Sequence, residues 1–481
     1  MCRFILKPTH FLFINKKTLE KSYNMVYNKL VNYYAGKDPF WDVKMISRST
    51  EIYNGKIRLH TVNTDRFKMS HFSVNFVTKK DKYRTPLTRL MLSVMMRGSE
   101  KYPTVTAINK ALDEQYGAAV TLRNVTVGEK SINKISCKIL KDRYALEGDN
   151  TGILENVIAI LGDVLFHPLK DDNGIFLSSY TESEKRIAID AIRSKINDPK
   201  AYASEQCSRY MFEGSEYEVA GDGDEELVNS FTVKEVSENL EKFMRDCRVE
   251  CYYVGNESHD YVESLIKKYF PFDSFGMSDM SYSEHPYVTE RADVRNIEET
   301  SDVSQGRLVL GYRCDTVISD NDYYAMSLFN EMFGGGSVSK LFLNVREKKS
   351  LCYYCYSSLH SATGTIKVGC GIDPQKKDEA QSEIAAQLDA MKCGDFTNEE
   401  METARKTLLS GIRQTNDSPA SIEAFAFRRL LAGVSGNMDS CRDAIMNVTA
   451  EDVVRVADKV VLDTVYFLNG NGEEEECYEK I

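Results

Sequence analysis

The sequence predicts an α+β protein made of two similar domains, each a mostly antiparallel sheet packed with helices. Three observations carry that prediction. Short segments such as HFSVNFV (71–77) and RLVLGYR (307–313) alternate apolar and polar residues, as strands with one buried face do. Helical and strand patterns alternate along the chain. One-faced strands favour an antiparallel or mixed sheet over a doubly wound parallel one, whose strands read as continuous apolar runs. Finally, the pattern repeats once at a long interval. FTVKEVSENLEKFMRDCRVECYYVGN (231–256) and VTAEDVVRVADKVVLDTVYFLNGN (448–471) each run from capped helix to aromatic-rich strand to Gly-Asn. The offset is 217 residues between Thr232 and Thr449, and 215 between Asn256 and Asn471. One long period means two similar domains, not a solenoid.

The elements follow in order. Residues 1–50 are rich in Lys, Asn and Tyr with little periodicity. They are expected to form a peripheral N-terminal extension, in which Met25 and Met45 each stand as an alternative start. The first domain is expected over 51–270. After the strand at 71–77, Leu87, Leu90, Met91, Val94 and Met95 recur at the spacing of one helix face, over 87–97. Arg89, Ser93 and Arg97 form a separate polar stripe four residues apart. Gly98 stands at a plausible C′ position, and a further helix follows at 104–116. Thr232 with Glu235, and Thr449 with Asp452, read as capping boxes that open amphipathic helices. The stretch 271–300 is polar and turn-rich, a linker. The second domain, 301–481, repeats the plan. Its strand is 307–313, its helix 320–333, its glycines Gly334–Gly336, and its further helix 337–349.

Composition excludes several functions. The chain has 481 residues, 42% hydrophobic and 28% charged, ordinary for a globular protein and ample for a sizeable core. A formal net charge of −11 argues against a nucleic-acid binder, which needs a basic face for phosphates. Twelve scattered cysteines suit a reducing compartment. No segment approaches 18 consecutive apolar residues, and the short run Phe11–Ile14 lacks a cleavage site. A cytoplasmic protein without an anchor or membrane partner is expected.

Three features invite chemistry. None of the seven histidines has another four residues away, so no single helix supplies the two imidazoles of a zinc-peptidase helix. CYYC (352–355) falls on a predicted strand, where residues three apart face opposite sides, and no second Cys pair follows. It is read as structural. FGGGS (333–337) has no Gly-Lys-Ser/Thr after it, so it is read as a turn between helices and not as a phosphate loop.

FGGGSVSKLFLNVREKKSLCYYCYSS (333–358) closely resembles the second-domain signature of the insulinase-like M16 peptidases and mitochondrial processing peptidases. Ser339, Leu341, Phe342, Arg346-Glu347-Lys348 and Leu351-Cys352-Tyr353 match that pattern; Ser350 replaces its glycine. The resemblance spans roughly 51–481, and its duplicated α+β halves match the family architecture. It implies that the 87–97 helix is the one that carries His-x-x-Glu-His in active members. Anchored on Arg97-Gly98-Ser99, the two histidines fall on Arg89 and Ser93 and the glutamate on Leu92. In ESEKRIAIDAIRSKINDP (182–199) the third ligand position falls on Ala191, while an upstream acid is kept as Glu184. The zinc ligands and the base are therefore absent, and zinc hydroxide cannot be generated.

The same resemblance implies that Arg346 and Tyr353 are the second-domain residues that bind substrate near a zinc site. It points to a zinc-less bacterial member, similar to the inactive M16 proteins associated with elongation factor P modification. The implied function is the non-catalytic subunit of a two-chain peptidase. It is not expected to have activity alone or a cofactor in this chain. Zinc is expected in a partner subunit that carries the intact motif, and an extended peptide or protein is the expected substrate. Two alternatives stand beside this. One is a purely structural or assembly M16-like protein, against which the kept Arg346 and Tyr353 argue. The other is an independent hydrolase using a cysteine with His360, which no spacing supports.

Overall fold

The computed structural model describes residues 47–470 apart from 149–151, 216, 219–220, 277–279, 290–291 and 304. The N-terminal extension expected at 1–50 lies, up to residue 46, outside the described residues. Its last residues already belong to a strand.

Two sheets share one plan. The first contains β1 (Arg48–Ile52), β2 (Ile57–Asn63), β3 (Met69–Lys79), β4 (Ala119–Val127), β5 (Lys130–Leu140) and β6 (Arg248–Gly255), in the order β1-β2-β6-β3-β5-β4. The second contains β7 (Arg295–Ser301), β8 (Gly306–Arg313), β9 (Cys352–His360), β10 (Thr365–Ile372) and β11 (Val461–Gly470), in the order β7-β11-β8-β10-β9. Without the extra edge strand β1, the two orders superpose strand for strand. β2 lies parallel to β6, and β7 parallel to β11, while every other pairing is antiparallel. The mostly antiparallel, duplicated sheet read from the sequence is the observed one. β7 falls inside the stretch 271–300 read as linker. Its alternating burial and its place beside β11 make Arg295–Ser301 part of the sheet.

The helices that position the site are α1 (Arg84–Met95), α2 (Ser178–Ser194), α3 (Pro199–Met211), α4 (Val233–Asp246), α5 (Tyr323–Asn330), α6 (Pro419–Leu431) and α7 (Ala450–Ala457). Both expected capping boxes form. Thr232 accepts from the Glu235 amide and Thr449 from the Asp452 amide, and each acid reaches back to its cap. The helix expected at 104–116 spans Val105–Asp113. The two expected at 320–333 and 337–349 are partly π-helical, at Glu331–Gly335 and Leu341–Lys348. The FGGGS stretch thus begins in a widened helical turn. Gly336 sits so close to Glu331 that a Cβ there would meet its carboxylate at 2.7 Å.

α1 buries Leu87, Leu90, Met91, Leu92, Val94 and Met95 in the core of the first sheet, as the apolar spacing requires. Gly98 corrects the expected capping role. The helix closes on Met96 in right-handed conformation, and Gly98 is not among the left-handed glycines. A Cβ on Gly98 would lie 2.6 Å from the Pro103 carbonyl oxygen, so close approach of backbone requires the glycine.

One feature departs from the one-faced strand picture. β3 is buried on both faces: Phe72, Val74 and Phe76 on one side, His71, Ser73 and Asn75 on the other. The second face is covered by α6, which comes from the other half of the chain and packs Ala426, Phe427 and Leu431 against Val77, Ile132 and Tyr252. Reciprocally, α3 from the first half lies on the second sheet, with Ala203 and Cys207 against Val309, Tyr466 and Leu468. The two helices are themselves counterparts. Each starts with Pro in its first turn and is followed by a left-handed glycine, Gly214 after α3 and Gly433 after α6. Each sheet is therefore closed by a helix of the opposite half. Among the described residues no helix is long and apolar enough to cross a membrane.

Candidate functional site

A cavity of about 1420 Å³ opens between the halves. α1, α3, the end of β4, the segment around Asp222 and the β9–β10 turn contribute its walls. Arg89 enters it from α1, where its guanidinium pairs with Asp222. Lys195 closes the same cluster, with Nζ 2.9 Å from Asp222 and 2.6 Å from Glu205. Burial works against the Lys195 charge, but the two carboxylates outweigh it and hold its pKa above the ordinary lysine value. From the opposite wall, Lys367 donates to the Ser204 and Ser208 hydroxyls of α3, and the Tyr356 ring lies under Lys200 of α3 at 4.2 Å.

The residues at which the family resemblance expects zinc ligands do not fit a metal. Arg89 is cationic and paired, Leu92 is buried in the core, Ser93 is half-buried beside it, and Ala191 is exposed on α2. None of the four carries an imidazole or carboxylate, so the donor chemistry for zinc is missing. The kept acid, Glu184, pairs instead with Arg97 at 3.3 Å. Burial lifts the Glu184 carboxyl above the usual range, and Arg97 opposes that shift. Of the polar stripe of α1, Arg89 lines the cavity, and both Arg89 and Arg97 are ion-paired.

Arg346 and Tyr353 come together. Arg346 sits in the π-helical turn before β9 and Tyr353 at the start of β9. Arg346 Nε donates to the Tyr353 carbonyl oxygen at 2.9 Å, and its Nη1 is 2.9 Å from Glu347. Its guanidinium also covers the Phe342 ring at 4.8 Å. The Tyr353 side chain projects outward, 60% exposed, which is unusual for so large an aromatic. Neither residue lines the cavity.

The reading of CYYC requires correction. Cys352 and Cys355 were expected on opposite faces of a strand with no second thiol pair to join. Their sulfurs instead converge with that of Cys370 on β10, all three within 4.8 Å of one another. The register of β9 and β10 slips between Gly371 and Ile372, so the strict two-residue alternation fails at Cys352. The signal lay in the hairpin itself. Cys355 and Cys370 are equidistant from the turn at 361–364 and therefore pair across it.

The two halves of this topology, with no metal donor on the first-half helix at Arg89, Leu92 or Ser93, are similar to M16-type proteins. Residues 230–408 match the family described as the peptidase M16 inactive domain. The chain is 29% identical over 417 residues to the probable inactive metalloprotease YmfF of Bacillus subtilis, covering 87% of this chain and 96% of that one. It is 21% identical over 297 residues to the uncharacterized zinc protease YmxG of the same organism, covering 61% and 69% of the two chains. Among solved structures, a conserved protein from Enterococcus faecalis V583 superposes with a TM-score of 0.80 at 24% identity, over 90% of this chain and 99% of that one. A peptidase M16 inactive domain from Pseudomonas fluorescens superposes with a TM-score of 0.70 at 16% identity, over 88% and 98%. These two likenesses bear on the fold.

Proposed function

We propose that this chain is the non-catalytic, cytoplasmic subunit of a two-chain M16-type zinc peptidase. A partner subunit with an intact His-x-x-Glu-His motif brings the zinc and the base. This chain brings the cavity wall for an extended peptide, and it contributes Arg346 and Tyr353 to the partner's reacting centre. One observation carries the reading: Arg346 is tied to Tyr353 at an exposed position outside the chain's own cavity. A guanidinium offers several donors to a peptide carbonyl, and a phenol donates to an oxyanion as the peptide bond is attacked. The lack of imidazole or carboxylate at Arg89, Leu92 and Ser93 of α1, and the likeness to a relative called probably inactive, are consistent with divided labour.

The test is reconstitution. The purified chain alone cleaves no peptide, and mixing with the motif-bearing partner produces turnover. Arg346→Ala or Tyr353→Phe lowers that turnover while the two chains still co-elute. Full turnover with both variants would leave this chain a scaffold.

A further inference from the structure

Beyond the M16 function stands a feature with no part in it: the sulfur cluster on the β9–β10 hairpin. Cys355 and Cys370 are 4% and 1% exposed, paired across the strands, with sulfurs 2.9 Å apart. Cys352 is half-buried at the mouth and brings the third sulfur within 4.8 Å of the others. Among the described residues this is the group of His, Cys, Asp or Glu side chains placed to hold a metal ion. We propose that Cys352, Cys355 and Cys370 form a three-thiolate site for a thiophilic d10 cation, Zn2+ or Cu+.

The donor set defines the class of ion. Three sulfurs with no carboxylate or carbonyl select soft metals and reject Mg2+, Ca2+ and Mn2+. A zinc ion about 2.3 Å from each sulfur spaces tetrahedral thiolates roughly 3.8 Å apart. Cys355 and Cys370 are 2.9 Å apart and all three sulfurs lie within 4.8 Å of one another, so that spacing is within reach of small side-chain movements. Cu+ takes the three sulfurs alone, in a trigonal arrangement. Zn2+ adds a water as fourth ligand from the side of Cys352, where the cluster meets solvent.

Charge and protons balance. Three metal–sulfur bonds form, three S–H bonds break, and three protons leave to solvent. Arg346 offsets part of the negative charge of the loaded site.

The experiment uses the full chain, reduced and desalted without oxygen. Co2+ is titrated first, then displaced by Zn2+; a parallel titration delivers Cu+ from a chelator buffer. The expected result is one ion per chain with thiolate-to-cobalt charge-transfer absorption in the near ultraviolet. Tighter retention against the Cu+ chelator than against a Zn2+ chelator assigns the site to Cu+, and the reverse assigns it to Zn2+. Cys352→Ser and Cys370→Ser weaken binding by about tenfold or more, whereas Cys393→Ser, at an exposed thiol on another element, leaves it unchanged. If Cys370→Ser does not fold, Cys352→Ser decides, because Cys352 is at the edge of the core. Absence of stoichiometric binding to the folded wild type, or equal binding by Cys352→Ser, would overturn the proposal. No partner subunit is present in this experiment, so its failure leaves the two-chain reading untouched.

Discussion

Lys134 on β5 of the first half donates to Glu423 on α6 of the second half, with Nζ 2.6 Å from Oε2. Glu423 is fully buried, and it also accepts from His71 at 2.5 Å, Ser73 at 2.5 Å and Asn75 at 3.0 Å. The polar residues of β3 thus face a carboxylate delivered from the other half of the chain. Removing one partner of a buried, hydrogen-bonded charge strands the others, at a cost of about 3–5 kcal/mol. Lys134 is partly exposed and regains some hydration, which places the expected cost at the lower end. Glu423→Gln is expected to lower the denaturation midpoint markedly. The control Glu399→Gln, on an exposed helix N-terminus, should shift it little.

The same carboxylate sets a pH dependence. Burial alone raises the Glu423 pKa, but the His71 hydrogen bond and the Lys134 charge outweigh it and bring it from 4.5 down to about 2. A carboxyl whose folded pKa is depressed stabilises the fold above its unfolded value. That stabilisation is lost as pH falls from about 4.5 towards 2. The order of magnitude is 3 kcal/mol, from roughly 1.4 kcal/mol per pKa unit. Urea midpoints measured between neutral pH and pH 3 should therefore converge for wild type and Glu423→Gln as the pH drops. Parallel curves would sink the assignment.

Gly98 offers a test of close packing against turn geometry. A left-handed cap tolerates Asn, whereas a steric limit rejects any Cβ. The Pro103 carbonyl, 2.6 Å from an added Cβ, is backbone and cannot swing aside. Gly98→Ala and Gly98→Asn should both destabilise by about 1–3 kcal/mol. Tolerance of Asn alone would restore the capping role.

Which parts of this architecture were legible follows from how local their causes are. The capping boxes at Thr232 and Thr449 are closed by residues three positions away, and both were readable. The apolar stripe of α1 was readable because its period belongs to the helix itself. The double burial of β3 was not, since His71, Ser73 and Asn75 look like a solvent face until α6 arrives from some 350 residues away. The exchange of α3 and α6 between halves was hidden for the same reason, although their shared proline start and glycine end repeat at the spacing of the two domains. The expectation of zinc-ligand positions at Arg89, Leu92, Ser93 and Ala191 needed the family pattern, because a helix of ordinary packing gives no sign of a ligand it lacks. The three-cysteine cluster depended on a one-residue slip in strand register, which no alternation rule foresees.

The stripe on α1 yields a metal prediction. Arg89 and Ser93 carry no zinc donor, and Arg89 is engaged by Asp222. The double variant Arg89→Ala, Ser93→Ala should bind Zn2+ with the same stoichiometry as wild type in an equilibrium dialysis measurement. A fall in bound zinc would mean that this stripe coordinates metal after all.

Arg346 and Tyr353 carry the last prediction. Tyr353 has no packing role to lose at its hydroxyl, which is the atom Tyr353→Phe removes from an exposed side chain. Its effect on the stability of this chain should be within about 0.5 kcal/mol, as for surface substitutions generally. If the phenol donates to a developing oxyanion in the partner's site, its loss should lower kcat of the reconstituted pair about a hundredfold, the range for one such donor. KM should change little, because the bond forms in the transition state and not with bound substrate. Arg346→Ala should act differently. If its guanidinium binds a substrate carbonyl as proposed, the variant removes that contact and also the hydrogen bond to the Tyr353 carbonyl oxygen, so KM should rise together with the fall in kcat. Arg346→Lys keeps the charge but not the forked geometry and should rescue only part of the loss. Steady-state kinetics on the two-chain complex separate these outcomes, and equal effects of Tyr353→Phe on kcat and on association would point to an interface role for the ring instead.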